Sequence, residues 1–129
     1  MNRMLELYEF DVQNCAKSLW MTPAMVRELH DAGHVIGLHS HSHPTRIERL
    51  DFDDQVREYR TNFEHIRAIT GSDPQAMSHP CNSYNEDTLT ILRELGITLG
   101  FRANMARPDL RNLEWPREDH ANLVQRMAA

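Results

Sequence analysis

Apolar and polar residues recur with two different periods along the chain, and the changes of period divide it into elements. In "MTPAMVRELHDAG", Met25, Val26 and Leu29 share a helical face. Thr22 can cap that helix, Pro23 suits its first position, and Gly33 suits the left-handed residue that ends it. "HVIGLHS" then predicts a short buried strand, with the run from His39 to Thr45 as the loop leaving its C-terminal end. "LDFDDQVREYRTNFEHIRAITG" predicts a long amphipathic helix on Val56, Tyr59, Phe63, Ile66 and Ile69, with an acidic first turn and a stop at Gly71. "QAMSHP" predicts a second strand running into the turn-rich "CNSYNED", "EDTLTILRELG" a helix closed by Gly96, and "ITLGFRAN" a third strand. "RPDLRN" is then a loop, "LEWP" a last strand and "REDHANLVQRMA" a terminal helix. Ahead of all these, Met4, Leu5, Leu7, Tyr8, Phe10 and Val12 fit neither spacing cleanly, which predicts a helix or an irregular lead-in.

Helices alternating with strands predict an α/β fold, a parallel sheet or part of a (β/α) barrel. In such folds chemistry gathers at the C-terminal ends of strands. His39 to His43, His79 to Tyr84 and Arg102 to Asn104 all fall at such ends.

Composition narrows the function classes. The 129 residues are 40% hydrophobic and 26% charged, the balance of a single globular domain. A net charge of −5, with no basic run, argues against a nucleic-acid surface. No apolar stretch is long enough to span a bilayer, and the first residues lack the apolar core of a secretory signal. Cys15 and Cys81 stand far apart, which excludes a disulfide framework and a cysteine-rich zinc site. With free thiols and no signal, the expected compartment is the cytoplasm.

The eight histidines cluster, and His39, His41 and His43 lie at alternate positions in "HSHSH". In an extended chain all three would point one way. If the chain turns after Ser40, residues four apart converge instead and His41 is left outside. Neutral imidazoles at close spacing make half of a divalent-metal site, and a catalytic metal usually takes a third protein ligand.

The context of these histidines resembles the polysaccharide deacetylase family, the chitooligosaccharide-deacetylase-like domain of carbohydrate esterase family 4. That family's metal motif is H-[S/T]-x-x-H, set in runs such as "GHEIGNHTYSHP". This chain reads "GHVIGLHSHSHP", matching at Gly33, His34, Ile36, Gly37, His39, Ser40, Ser42, His43 and Pro44. The resemblance implies that His39 and His43 bind a divalent metal, zinc foremost, and that His41 is the variable middle residue. Ser40 is then expected to hydrogen-bond within the loop and hold its shape.

Downstream, "SHPCNSYNEDTLTILRELG" is similar to the family's R-x-P-[Y/F]-G motif and its continuation. Pro80 takes the place of the motif proline, Cys81 of the aromatic residue and Asn82 of the glycine, a mild exchange because asparagine tolerates left-handed backbone. By this resemblance the Cys81 N–H serves a tetrahedral oxyanion, and Pro80, Asn82 and Tyr84 line the substrate groove. Ser78 stands where the family carries an arginine that orients the catalytic aspartate. Cys81 as a nucleophile lacks an evident base, so a small packed thiol is expected. His79 is either a site residue or a packed strand-end histidine.

Several family parts have no counterpart. The T-F-D-D motif, whose aspartates serve as general base and third metal ligand, is not matched. Asp11 lacks a paired carboxylate, and Asp53 with Asp54 follows the histidines and opens a helix. No Leu-x-His supplies a general acid near the end. His120, in "EWPREDHANL", is the candidate for that role against a surface helix histidine.

The resemblance spans residues 20–125 and only the later part of the family's domain. Residues 1–129 are expected to form one incomplete deacetylase-like domain, since a full barrel takes about 200 residues or more. The implied activity is metal-dependent removal of an N-acetyl group from an amino sugar, or cleavage of a related non-peptide C–N bond. The implied substrate is a carbohydrate or small amide. The alternative is an inactive remnant that binds metal or acts as an interaction module. An open parallel edge would need covering, so a second copy completing the barrel is a further expectation.

Overall fold

The helix-end signals act where the sequence places them. A computed structural model describes residues 11–105, 112–118 and 120–127. Helix α1 spans Val12–Leu19 and is capped by Asp11, whose carboxylate accepts the Asn14 N–H at 2.9 Å. Helix α2 spans Pro23–Asp31, with Thr22 as its cap, and Gly33 follows it at φ +90°. Helix α3 spans Phe52–Thr70, capped by Asp51 and ended by Gly71 at φ +77°. Helix α4 spans Glu86–Glu94 behind a reciprocal capping box between Asn85 and Thr88. Helix α5 spans His120–Met127. Residues 1–10 of the predicted lead-in and most of the "RPDLRN" loop lie outside the described residues.

The sheet is parallel throughout. Strand β1, Ala76–Ser78, pairs with β2, Leu99–Phe101, so that Met77 stands opposite Gly100. Two single parallel bridges extend it, Leu38 to Met77 on one side and Phe101 to Trp115 on the other. The predicted strands "HVIGLHS" and "LEWP" are therefore one bridge each. At the first, the Leu38 N–H donates to the Ala76 carbonyl at 2.9 Å and the Leu38 carbonyl accepts the Ser78 N–H at 3.0 Å. Pairing stops there because the chain turns at Ser40, which adopts φ +64°. Gly37 permits the close approach, since a Cβ there would stand 2.8 Å from the Ala76 oxygen.

One face of the sheet carries the core. Leu38 and Met77 pack with Ile47, Tyr59, Ile66, Leu89, Leu92, Ile97 and Leu113 in one buried cluster contributed largely by α3 and α4. A polar seam joins these helices where they start: Thr88 Oγ1 donates to the buried Gln55 side chain at 2.6 Å, and Gln55 Nε2 donates to the Leu50 carbonyl at 3.1 Å. The opposite face, with Val35, Gly37, Ala76, Leu99 and Phe101, forms an open apolar groove of ≈ 450 Å³. The expected apolar face of α2 is also uncovered: no residue of α2 is buried, and Met25 and Leu29 are exposed, because α2 packs on α3 alone among its larger contacts. Among the described residues α3 and α4 cover one face of these parallel segments, the arrangement of a partial (β/α) barrel. Among the described residues, no helix is long and apolar enough to cross a membrane.

Candidate active site

The histidine loop leaves the sheet at Leu38 and folds back on itself through two non-glycine residues in the left-handed region, Ser40 at φ +64° and His43 at φ +57°. Each such residue costs of order 1–3 kcal/mol, so it persists only where its surroundings over-determine it. The result is convergence of residues four apart. The His39 and His43 rings lie with centroids 5.0 Å apart and planes tilted by 54°. His41 is not part of that pair; its backbone and imidazole lie by Glu58.

Hydrogen bonding sets the tautomer of His39. Its Nδ1 lies 2.7 Å from the Ser78 carbonyl oxygen. A carbonyl only accepts, so Nδ1 carries the hydrogen and a neutral ring presents the Nε2 lone pair outward. That is how a metal-binding histidine is oriented by a backbone carbonyl. The pair therefore fits half of a tetrahedral centre, in an exposed position at a strand end. Among the described residues, no group of three or more His, Cys, Asp or Glu is placed to hold a metal ion.

The loop is held by a residue that the sequence did not single out. Glu58 Oε2 accepts the N–H groups of His41 at 3.0 Å and Ser42 at 2.8 Å, and Oε1 accepts the Ser42 hydroxyl at 2.6 Å. One turn along α3, Asn62 Oδ1 accepts the His39 N–H at 3.0 Å. Partial burial raises the Glu58 pKa, but the Ser42 and His41 hydrogen bonds and the nearby His41 imidazole outweigh it. The carboxyl titrates below its ordinary value. The only sequence signal was two polar residues four apart on α3. Ser40 corrects an expectation: its hydroxyl oxygen is buried and makes no hydrogen bond among the described residues. Among the described residues the bonds that hold the loop come from Glu58 and Asn62.

The second segment, at the end of β1, also runs through left-handed backbone, at Cys81 (φ +50°) and Asn82 (φ +56°). The asparagine substitutes for a glycine's geometry and uses its side chain, whose Oδ1 accepts the Ala103 N–H at 2.9 Å. Cys81 is exposed rather than packed, a correction that follows from its place on the outside of the Pro80–Asn82 turn. Pro80 is buried, and the half-buried Tyr84 donates its hydroxyl to Glu114 at 2.8 Å. Tyr84 also stacks on His79, with centroids 4.0 Å apart.

His79 is the packed histidine of the two alternatives, only 1% exposed. Its Nε2–H donates to the Leu113 carbonyl at 2.8 Å, and its Nδ1 has no partner among the described residues. Burial pushes its pKa below the ordinary histidine value. Ser78 contributes its carbonyl to His39. His120 opens α5 at an exposed position. Asp53 and Asp54 occupy the first turn of α3, where Asp54 pairs with Arg57, and Asp11 caps α1. None of the three stands in the histidine site as a paired carboxylate.

Comparison with known proteins follows the same lines. No curated protein sequence matches the chain. Among solved structures, the chain is similar to the deacetylase PplD of Streptococcus pyogenes in complex with acetate. The identity is 24% and the TM-score 0.69, over 81% of this chain and 50% of that one. A family 4 carbohydrate esterase from Streptomyces lividans, also in complex with acetate, gives 24% identity and a TM-score of 0.57 over 61% of this chain and 41% of that one. A family 4 pseudoenzyme from Bacillus anthracis gives 20% identity and a TM-score of 0.55 over 58% and 26%. The chain thus spans half or less of the length of these structures, and the likeness is one of fold. The family model described as polysaccharide deacetylase matches residues 8–100, most of the sequence. The chain belongs to the polysaccharide deacetylase family.

Proposed function

We propose that the chain is part of a deacetylase domain that uses a divalent metal, zinc foremost, to remove N-acetyl groups from an amino sugar or to cleave a related small amide. The observation that carries this is the His39–His43 pair, with the Ser78 carbonyl fixing the tautomer that leaves Nε2 of His39 free. When bound there, a metal ion supplies Lewis acidity toward the amide carbonyl.

The chain's own groups would do the rest of the positioning. The Cys81 N–H, in an exposed turn with left-handed backbone, is proposed as an oxyanion donor. Asn82 fixes that turn through Ala103, and with Pro80 and Tyr84 it forms the proposed wall of the substrate groove. His120 is the proposed general acid. A third ligand and a general base are proposed to come from outside the described residues, whether from this polypeptide or from a second copy.

Acetate release from N-acetylglucosamine oligomers, with zinc or cobalt added, tests the activity. The expected result is release that a chelator stops and His39→Ala abolishes. A metal-loaded protein that releases no acetate contradicts the hydrolase reading. It favours instead a non-catalytic metal-binding module, a reading supported by the described residues' lack of a three-ligand group and by the pseudoenzyme neighbour.

A further inference from the structure

We infer that Glu58, together with Asn62, is the positioning element for the His39–His43 pair, acting through the loop backbone and not by contact with the rings. The inference rests on the metal-site reading above. The His39–His43 loop contains two left-handed non-glycine residues, and the one buried hydroxyl within it, on Ser40, makes no bond among the described residues. What holds the loop lies on α3. Glu58 receives two backbone N–H groups and one hydroxyl, and Asn62 receives the N–H of His39 itself. The two are one helical turn apart and so present a single polar face to the loop.

That face is rigid for a visible reason. Tyr59, between them in sequence, is wholly buried in the core, and Ile66 follows on the same buried side. The imidazole pair is therefore referenced to the core through a helix rather than through its own short loop. The Ser78 carbonyl anchors the His39 ring separately, to β1. Loss of the Glu58 carboxylate would free His41 and Ser42, and with them the approach of His43 to His39.

The test uses Glu58→Ala, Glu58→Gln and Asn62→Ala in the full chain. One readout is cobalt(II) affinity followed by d–d absorption; the other is the ring-to-ring nuclear Overhauser effect between His39 and His43 without metal. Glu58→Ala is expected to weaken cobalt binding by roughly 10–100-fold and to remove the ring-to-ring signal, with far-UV circular dichroism unchanged. Glu58→Gln is expected to recover most of both, because its amide oxygen still accepts the two N–H groups. Unchanged affinity and an unchanged ring signal in Glu58→Ala would overturn the inference. If the wild-type chain binds no cobalt, the metal reading fails, and the ring signal alone decides positioning: its loss in Glu58→Ala supports it, its retention overturns it. If Glu58→Ala does not fold, Asn62→Ala, which removes one hydrogen bond, is judged by the same two readouts.

Discussion

Single hydrogen bonds decide what two of the histidines do. His39 and His79 each donate one ring N–H to a backbone carbonyl, of Ser78 and Leu113 respectively. His39 does so at the surface, with its Nε2 turned away from that bond, whereas His79 does so in the core, where burial lowers its pKa. This yields a pH dependence with a definite sign. The folded state lowers the His79 pKa below 6.5, so the unfolded chain binds that proton more readily. Stability from His79 is present above about pH 6.5 and is lost as the pH falls toward the folded value. Denaturant unfolding between about pH 8 and pH 5 should show this loss, and His79→Gln, which can still donate to Leu113, should flatten the slope in that range. The Glu58 contribution lies in a separate window, because its pKa is lowered from 4.5 and its stabilisation fades only at more acid pH. The sequence made His39 and His43 legible, since their spacing and flanking residues carry the family pattern. Glu58 and Asn62 were not legible, since their partners are backbone N–H groups about twenty residues away, which no local pattern records.

At the scale of elements, the helices were legible because caps and stops are local chemistry. Thr22, Asp51, Asn85, Gly33, Gly71 and Gly96 act through bonds or backbone angles within a few residues. The strands were legible in place but not in length. "HVIGLHS" has the composition of a buried strand, yet only Leu38 pairs, because the turn at Ser40 and the open side of the sheet are tertiary facts. The cap at Asn85 serves more than its own helix. Its side chain accepts the Thr88 N–H at 3.0 Å and donates to the Glu48 carbonyl at 3.2 Å, joining α4 to the turn that follows the histidine loop. Asn85→Ala should cost about 1–2 kcal/mol, read as a lowered unfolding midpoint with an unchanged denaturant slope. A change in slope would mean that the seam holds α4 and α3 in one cooperative unit only while the cap is present.

At the scale of the molecule, the fold places both histidine segments at the C-terminal ends of parallel strands, and among the described residues one sheet face is open. Parallel order was readable from the alternation of helices and strands. The open groove of ≈ 450 Å³ was not legible, because it depends on which sheet face the helices cover, a tertiary fact. That groove reaches the histidine pair, since His39 lines it, and the chain spans 50% of the Streptococcus pyogenes deacetylase whose fold it shares. The proposed function requires that this strand end hold a metal ion between His39 and His43. The most direct measurement is zinc stoichiometry and affinity of the purified chain by calorimetry, with His39→Ala, His43→Ala and His41→Ala alongside. The account predicts one zinc per site, lost in the first two variants and largely retained in the third. Equal loss in all three, or no zinc in the wild-type chain, would contradict it.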